Sequence, residues 1–235
     1  MPSPVRVLVV YGSQTGNTEK VIKMLMRKWD VADAKFKVEG VQEGNEVDVE
    51  EVDSLPERYD VIVVATSSYG EGDPPDNYGK FLLKLIHGAQ SGKRPMAGMQ
   101  HAVLGEGSSV YEQTFQNCPR LTDKLLEECG SRRMVRRHEI DVGGTEEDES
   151  VGRGLFGSAV LEALQSLPSA DAAPAAAWAE PRAAHNEPVT RITEKTEKDM
   201  FLGGGSNVNV KAMVLPITML LVAAGAAAYS FFGEQ

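Results

Sequence analysis

Residues Ser13-Gln14-Thr15-Gly16-Asn17-Thr18 place five hydroxyl or amide side chains and one glycine directly behind the apolar run 7–11. A strand that enters a helix through such a turn meets the helix N-terminus, where unpaired N–H groups and a partial positive charge suit an anion. The hydroxyls and amides add neutral donors, and Gly16 lets the backbone come close to a guest. The guest these residues predict is a phosphate. A triphosphate loop would supply a lysine after its last glycine, whereas Asn17 follows Gly16 here, and no G-x-G-x-x-G dinucleotide turn follows the first apolar run. A terminal phosphate monoester held by neutral donors fits the pattern. Taken alone, the same residues also suit an ordinary Ser/Thr-rich helix cap.

Two further stretches extend the chemistry. Residues 66–77 read TSSYGEGDPPDN and residues 105–111 read GEGSSVY. Each brings one tyrosine, Tyr69 or Tyr111, flanked by Ser67 and Ser68 in the first and by Gly107 and Ser108 in the second. Two aromatic rings on either side of a slot suit a flat ring by stacking. Gly70 and Gly72 leave their loop free to reorient a peptide. A cofactor with one phosphate and one flat redox ring is flavin mononucleotide, FMN.

The elements that must position these residues alternate. Residues 5–11, 46–52, 61–66, 100–105 and 134–140 read as strands. Residues 18–29, 119–129 and 155–167 read as helices, the second closed by Gly130 as a C-cap and the third stopped by Pro168. Strands alternating with helices predict an α/β fold with a parallel sheet covered on both faces. In a doubly wound sheet the loops after strands one, three and four converge at the carboxyl edge, near the switch in strand order. The three motifs would then surround one crevice.

In that order, SQTGNTE, SYGEGDPPDN and GEGSSVYEQTF resemble the three flavin loops of the flavodoxin-like module of diflavin reductases, of the microsomal haem-monooxygenase reductase and nitric oxide synthase type. The resemblance covers about residues 5–168. It implies a five-stranded parallel sheet in the order 2-1-3-4-5. It implies that residues 13–18 cradle the phosphate, that Tyr69 and Tyr111 flank the isoalloxazine, that the Gly70 backbone accepts from flavin N5–H in the one-electron-reduced state, and that Asp141 lies close to the ring. Three stretches depart from the family pattern. Glu106 stands where an apolar residue is usual; near the flavin its charge would disfavour an anionic reduced ring, and otherwise it points to water. Residues 30–45 have no counterpart and read as a surface loop. Residues 142–152 match only loosely.

The 235 residues carry a formal net charge of −10, which argues against a nucleic-acid partner, because phosphate backbones select basic surfaces. The four histidines show no metal-ligand spacing, and Cys118 and Cys129 read as free thiols. Residues 132–137, RRMVRR, form a basic cluster that suits either an anionic lipid or acidic partner, or the protected exposed edge of the fifth strand.

Three parts follow along the chain: a head over 1–168, an Ala/Pro-rich and charged linker over 169–211, and an anchor over 212–235. Residues 213–232 contain no charge, and a helix of that length spans about 30 Å, the hydrocarbon thickness of a bilayer. A buried core helix is the competing reading. A linker of this length reaches about 35–40 Å. A tail-anchored chain with its head in the cytosol is expected, in the endoplasmic reticulum by preference, although the Ala- and Gly-rich span also suits the mitochondrial outer membrane. No second nucleotide motif is found, so the expected electron donor is a separate reductase carrying FAD and using NAD(P)H, and the acceptor a haem or other redox protein. Acidic residues on the flavin loops, Glu71, Asp73, Asp76, Glu106 and Glu112, would steer basic partner faces. The competing functions are a flavodoxin-type NAD(P)H:quinone oxidoreductase and a non-redox membrane adaptor.

Overall fold

A computed structural model of the chain describes residues 3–47, 52–70 and 72–168. The linker and the span expected at 213–232 lie outside the described residues. Among the described residues no helix is long and apolar enough to cross a membrane.

Six strands form one parallel sheet: β1 (Val5–Tyr11), β2 (Phe36–Glu43), β3 (Val61–Ser67), β4 (Gln100–Gly107), β5 (Arg132–Arg133) and β6 (His138–Asp141). The order is β2-β1-β3-β4-β5, and β6 pairs with β4 beyond β5 on the same edge. The sheet therefore has the predicted order 2-1-3-4-5, with its fifth place shared by two short strands. Helices α1 (Asn17–Trp29) and α5 (Glu146–Ser166) pack with Val7, Val9, Val63 and Leu104 on one face. Helices α3 (Gly79–Gln90) and α4 (Asn117–Glu128) pack with Leu8, Ile62, Val64 and Val103 on the other. Short α2 (Leu55–Arg58) precedes β3. β-Branched residues fill β1 and β3 because both faces of a parallel sheet are buried, so no polar alternation survives.

Helix α1 buries Val21, Ile22, Leu25 and Trp29, a stripe at helical spacing, and the Trp29 indole donates to the Gly157 carbonyl of α5 at 2.9 Å. Helix α4 ends as expected at Gly130, whose φ is +98°, with the Ser131 amide returning to the Leu126 carbonyl at 3.0 Å.

Several expectations need correction. The second strand is not 46–52 but Phe36–Glu43, inside the stretch read as a surface loop. Its pairing with β1 slips between Val7↔Val38 and Leu8↔Gly40, a bulge that adds one residue; the apolar alternation of Phe36 and Val38 stops there, and Val41 beyond it is exposed. Of the alternating run 46–52, Glu46 closes a short 3-10 turn over 44–46 and Val52 opens another over 52–54, and residues 48–51 lie outside the described residues. The fifth strand is split, because Arg133 and Arg137 turn inward to Asp123, so RRMVRR is not simply an exposed edge. Helix α5 begins nine residues before the expected start at 155. The Thr145 side chain caps it, accepting from the Asp148 amide at 3.1 Å and donating to Asp148 Oδ2 at 2.7 Å. Both thiols are buried, and burial pushes Cys118 and Cys129 each up to about 12, so neither is a nucleophile near neutral pH.

Candidate cofactor site

At the carboxyl ends of β1, β3 and β4 lies a cleft of about 750 Å³. Its first wall is the turn from β1 to α1. Gly12 ends β1 against Tyr78 and Thr66; a Cβ there would stand 2.6 Å from either side chain, so only glycine lets the turn sit this close to the loop after β3. That loop is laced to the turn. The Ser13 amide donates to Asn77 Oδ1 at 2.9 Å, Gln14 Nε2 donates to Asp76 Oδ2 at 2.8 Å, and the Asp76 amide donates to Gln14 Oε1 at 2.9 Å. The Gln14 amide is thus committed to holding two loops together, although the residue lines the cleft. Gly16 takes the left-handed conformation at φ +82° and caps α1 with no side-chain hydrogen bond. The amides of the first turn are therefore left for a guest. Ser13, Thr15, Asn17 and Thr18 line the cleft beside them. Gly16 itself is not in the lining; its part is the turn that opens the helix end.

The other walls carry the two tyrosines. Ser67, Ser68, Tyr69 and Gly70 line the cleft after β3. The Tyr69 loop closes on itself, with the Tyr69 and Asp73 amides exchanging hydrogen bonds at 2.9 and 2.8 Å. Gly70 and Gly72 both have positive φ, +53° and +90°, which L side chains adopt only under strain. Gly72 is not in the lining; it abuts Thr114 and Asn117, and its carbonyl accepts from Asn117 Nδ2 at 3.0 Å. The Ser68 hydroxyl accepts from the Cys118 amide at 3.0 Å, at the start of α4. After β4, Gly107, Ser108 and Tyr111 line the cleft, joined by Thr114 and Phe115. Tyr69 and Tyr111 are 53% and 64% exposed, a large apolar area left uncovered by the described residues. Asp141 is not part of the lining. Its Oδ1 accepts from the Ser109 and Gly143 amides, both at 2.9 Å; the Ser109 hydroxyl first, and then these two amides, hold its carboxyl below the usual range. It braces the end of β6 against the Tyr111 loop.

The sequence reading missed the cations here. Lys20 and Arg153 line the cleft, although no lysine follows the glycine of the turn. Glu106 points neither to water nor alone toward the cleft. It is 3% exposed and accepts from Arg153 Nε at 2.9 Å and Nη2 at 2.7 Å, so it leaves the proposed acidic rim. The pairing had one readable signal, Glu149 and Arg153 four apart on a helix.

This donor set fits a particular guest. A helix end without a side-chain cap, three hydroxyls and an amide suit one phosphate. Two exposed aromatic rings across the same opening suit one flat ring system.

The family model for flavodoxin matches residues 9–152. Human NADPH–cytochrome P450 reductase is 34% identical over 160 residues, which is 66% of this chain and 22% of that protein. The bifunctional cytochrome P450/NADPH–P450 reductase of Bacillus cereus is 34% identical over 143 residues, 61% of this chain and 12% of that one. The chain thus spans about a fifth or less of the length of these curated relatives. Among solved structures, oxidised flavodoxin 1 of Bacillus cereus aligns with a TM-score of 0.51 at 20% identity, covering 66% of this chain and 97% of its own. The flavodoxin of Streptococcus pneumoniae TIGR4 aligns with a TM-score of 0.53 at 24% identity, covering 67% and 99%. With the sheet order, the cleft and the family model in agreement, the chain belongs to the flavodoxin family, and its cofactor is FMN.

Proposed function

We propose that this chain passes electrons singly from a reductase carrying FAD and using NAD(P)H to a protein acceptor such as a haem protein, and that residues 213–232 tether it to a membrane with the head on the cytosolic side. The observation that carries the electron-transfer reading is the placement of two half-exposed tyrosines across the mouth of one cleft whose far wall is an uncapped helix end. Such a cleft buries the phosphate end of a cofactor and leaves the edge of a flat ring within reach of a partner's surface. Bound there, FMN supplies one-electron steps. The chain's own residues bind and orient it: the first-turn amides of α1, the hydroxyls of Ser13, Thr15 and Thr18 and the Asn17 side chain take the phosphate, Tyr69 and Tyr111 sandwich the ring, and the positive-φ backbone at Gly70 lets a peptide turn toward it.

The names of the matched relatives, reductases of cytochrome P450 that use NADPH, support a reductase as donor and a haem protein as acceptor. Asp76 and Glu112 are exposed beside the cleft and suit a basic partner face in a weak, fast complex. The tether rests on the uncharged run 213–232, long enough to cross a bilayer; the full chain should float with lipid vesicles, and a chain ending at residue 211 should not.

Anaerobic stopped-flow reduction by NADPH tests the electron path. Reduction should be slow with NADPH alone and fast once an FAD-containing reductase is added. Rapid reduction by NADPH alone would overturn the relay and favour a quinone oxidoreductase.

A further inference from the structure

Arg153 is held in a way that a merely structural arginine is not. The β4 residues Ala102 and Leu104 face α1 and α5, and the pleat puts Glu106 on that same face. Gly105, one residue earlier, abuts Gln116 and Pro119 of α4 on the opposite face. Glu106 and Arg153 therefore meet on the side of the sheet that carries α1, whose N-terminus is the phosphate end of the cleft. Val21 of α1 lines the same cleft. Both bonds to Glu106 come from Nε and Nη2, and Nη2 also reaches Glu149 Oε2 at 3.0 Å. Among the described residues Nη1 has no partner, and Arg153 is part of the cleft lining. Two carboxylates thus fix the plane of the guanidinium and leave one of its edges unspent at an anion site.

The geometry points to Arg153 as a cofactor-binding residue, a cation set to face the FMN phosphate, with Glu106 and Glu149 as the positioning residues that orient it and temper its charge. This deepens the FMN assignment and rests on it. The reason for the tempering is electrostatic. The phosphate turn itself supplies only neutral donors, and an uncompensated arginine added to Lys20 would make the vacant cleft attractive to any cellular anion. The cluster of Glu106, Arg153 and Glu149 sums to one negative charge, so it favours a guest only when that guest also satisfies the turn and the tyrosines. Oxidised FMN carries charge on its phosphate alone, so the cluster should sense the phosphate and ignore the rest of the molecule.

The test uses opposite signs. Arg153→Met takes the cluster from one to two negative charges, and FMN should bind about tenfold more weakly. Glu106→Gln takes it from one negative charge to none, and FMN should bind about threefold more tightly. Riboflavin, which lacks the phosphate, should bind all three proteins within about twofold of one another. Dissociation constants come from the quenching of flavin fluorescence on the full chain. Arg153→Met leaves Glu106 unpaired in the interior and can weaken binding by loosening the fold. Glu106→Gln guards against that reading, because loss of structure does not tighten a complex. Arg153→Lys, which keeps a cation, should recover most of the affinity.

Weaker FMN binding in both Arg153→Met and Glu106→Gln would make the pair a structural brace and overturn the inference. Equal shifts with riboflavin would overturn it too. A wild-type chain that takes up neither flavin would instead bring down the FMN assignment itself, with this inference as its dependent.

Discussion

Two groups of polar atoms, one beside β4 under α4 and one at the carboxyl edge of the sheet, treat their hydrogen bonds oppositely. On the α4 side, Asp123 accepts from Arg133 Nε at 2.8 Å, from Arg137 Nη1 at 2.6 Å and from His101 Nε2 at 3.3 Å. Glu139 accepts from Arg120 and Arg137, and Glu127 from Arg133. Three guanidiniums balance three carboxylates, and almost every atom is used; Arg133 Nη1 is the buried exception within this group. At the carboxyl edge of the sheet, the first-turn amides of α1, its neighbouring hydroxyls and two exposed rings make few bonds within the chain. The first group has spent its polarity on the fold. The second has kept it for a guest. The difference separates residues whose loss should unfold the chain from residues whose loss should only empty the cleft.

The sharpest attempt to break this contrast is at Asp123, which is 1% exposed. Asp123→Asn keeps the shape and removes the charge that compensates two buried guanidiniums. Removing one partner from such a group costs about 3–5 kcal/mol. Equilibrium urea unfolding should show a loss of that size, with FMN affinity of the folded protein changed by less than about twofold. A loss below about 1 kcal/mol would mean that the network contributes nothing beyond what packing supplies.

The tyrosines should behave in reverse. Tyr69→Ala and Tyr111→Ala remove rings that touch little of the chain, so urea midpoints should stay at the wild-type value. Stacking of a flat heterocycle on an aromatic side chain is worth about 1–3 kcal/mol by alanine substitution, so flavin should bind roughly tenfold or more weakly in each variant. Fluorescence quenching gives the affinity. A fall in stability without a fall in affinity would place these rings with the fold instead of with the cofactor.

The same contrast explains what could be read in the sequence. The cleft was legible because its residues are local: a turn, two glycine-rich loops, and a tyrosine in each, all next to runs of β-branched residues. Twelve of the fifteen residues expected at the cofactor line the cleft; Gly16, Gly72 and Asp141 shape its walls from behind. The sheet order was legible through the resemblance. What escaped depends on distant partners. Arg133 and Arg137 looked like a solvated basic cluster because Asp123 lies ten and fourteen residues away, on a helix. Glu106 looked like a departure because its partner is 47 residues on. Strand β2 escaped because its apolar alternation, Phe36 then Val38, stops at a bulge beside Gly40, against which Leu8 packs, and the next apolar residue, Val41, is exposed. The early start of α5 escaped because its first turns bury nothing, and only Thr145 and the acidic residues after it mark the end.

The smallest effect expected is the most specific to the buried network. His101 is fully buried, and burial lowers its pKa below the ordinary 6.5 despite the hydrogen bond it donates to Asp123, with Arg133 adding to the fall and Glu127 opposing it. A neutral ring must donate from Nε2 to the Asp123 carboxylate, which can only accept, so Nδ1 accepts from the Ser131 hydroxyl at 2.9 Å. The sign follows from which state binds the proton. Below pH 6.5 the unfolded histidine takes up a proton and the folded one resists it, so stability is complete above 6.5 and is lost as pH falls toward the folded value. One proton sets the slope at up to about 1.4 kcal/mol per pH unit. Asp123 adds a second loss further down. Burial alone would raise its carboxyl, but the bonds from His101 and Arg133 hold it well below 3.8, so its share disappears only as pH drops beneath that value. Urea midpoints measured from pH 7.5 to 4.5 should therefore fall in wild type, and His101→Gln should flatten the upper part of that fall while lowering stability at pH 7.5. An unchanged profile in His101→Gln would mean that the acid loss comes from surface carboxylates, and the network on the α4 side would then be no more pH-sensitive than the cleft it is contrasted with.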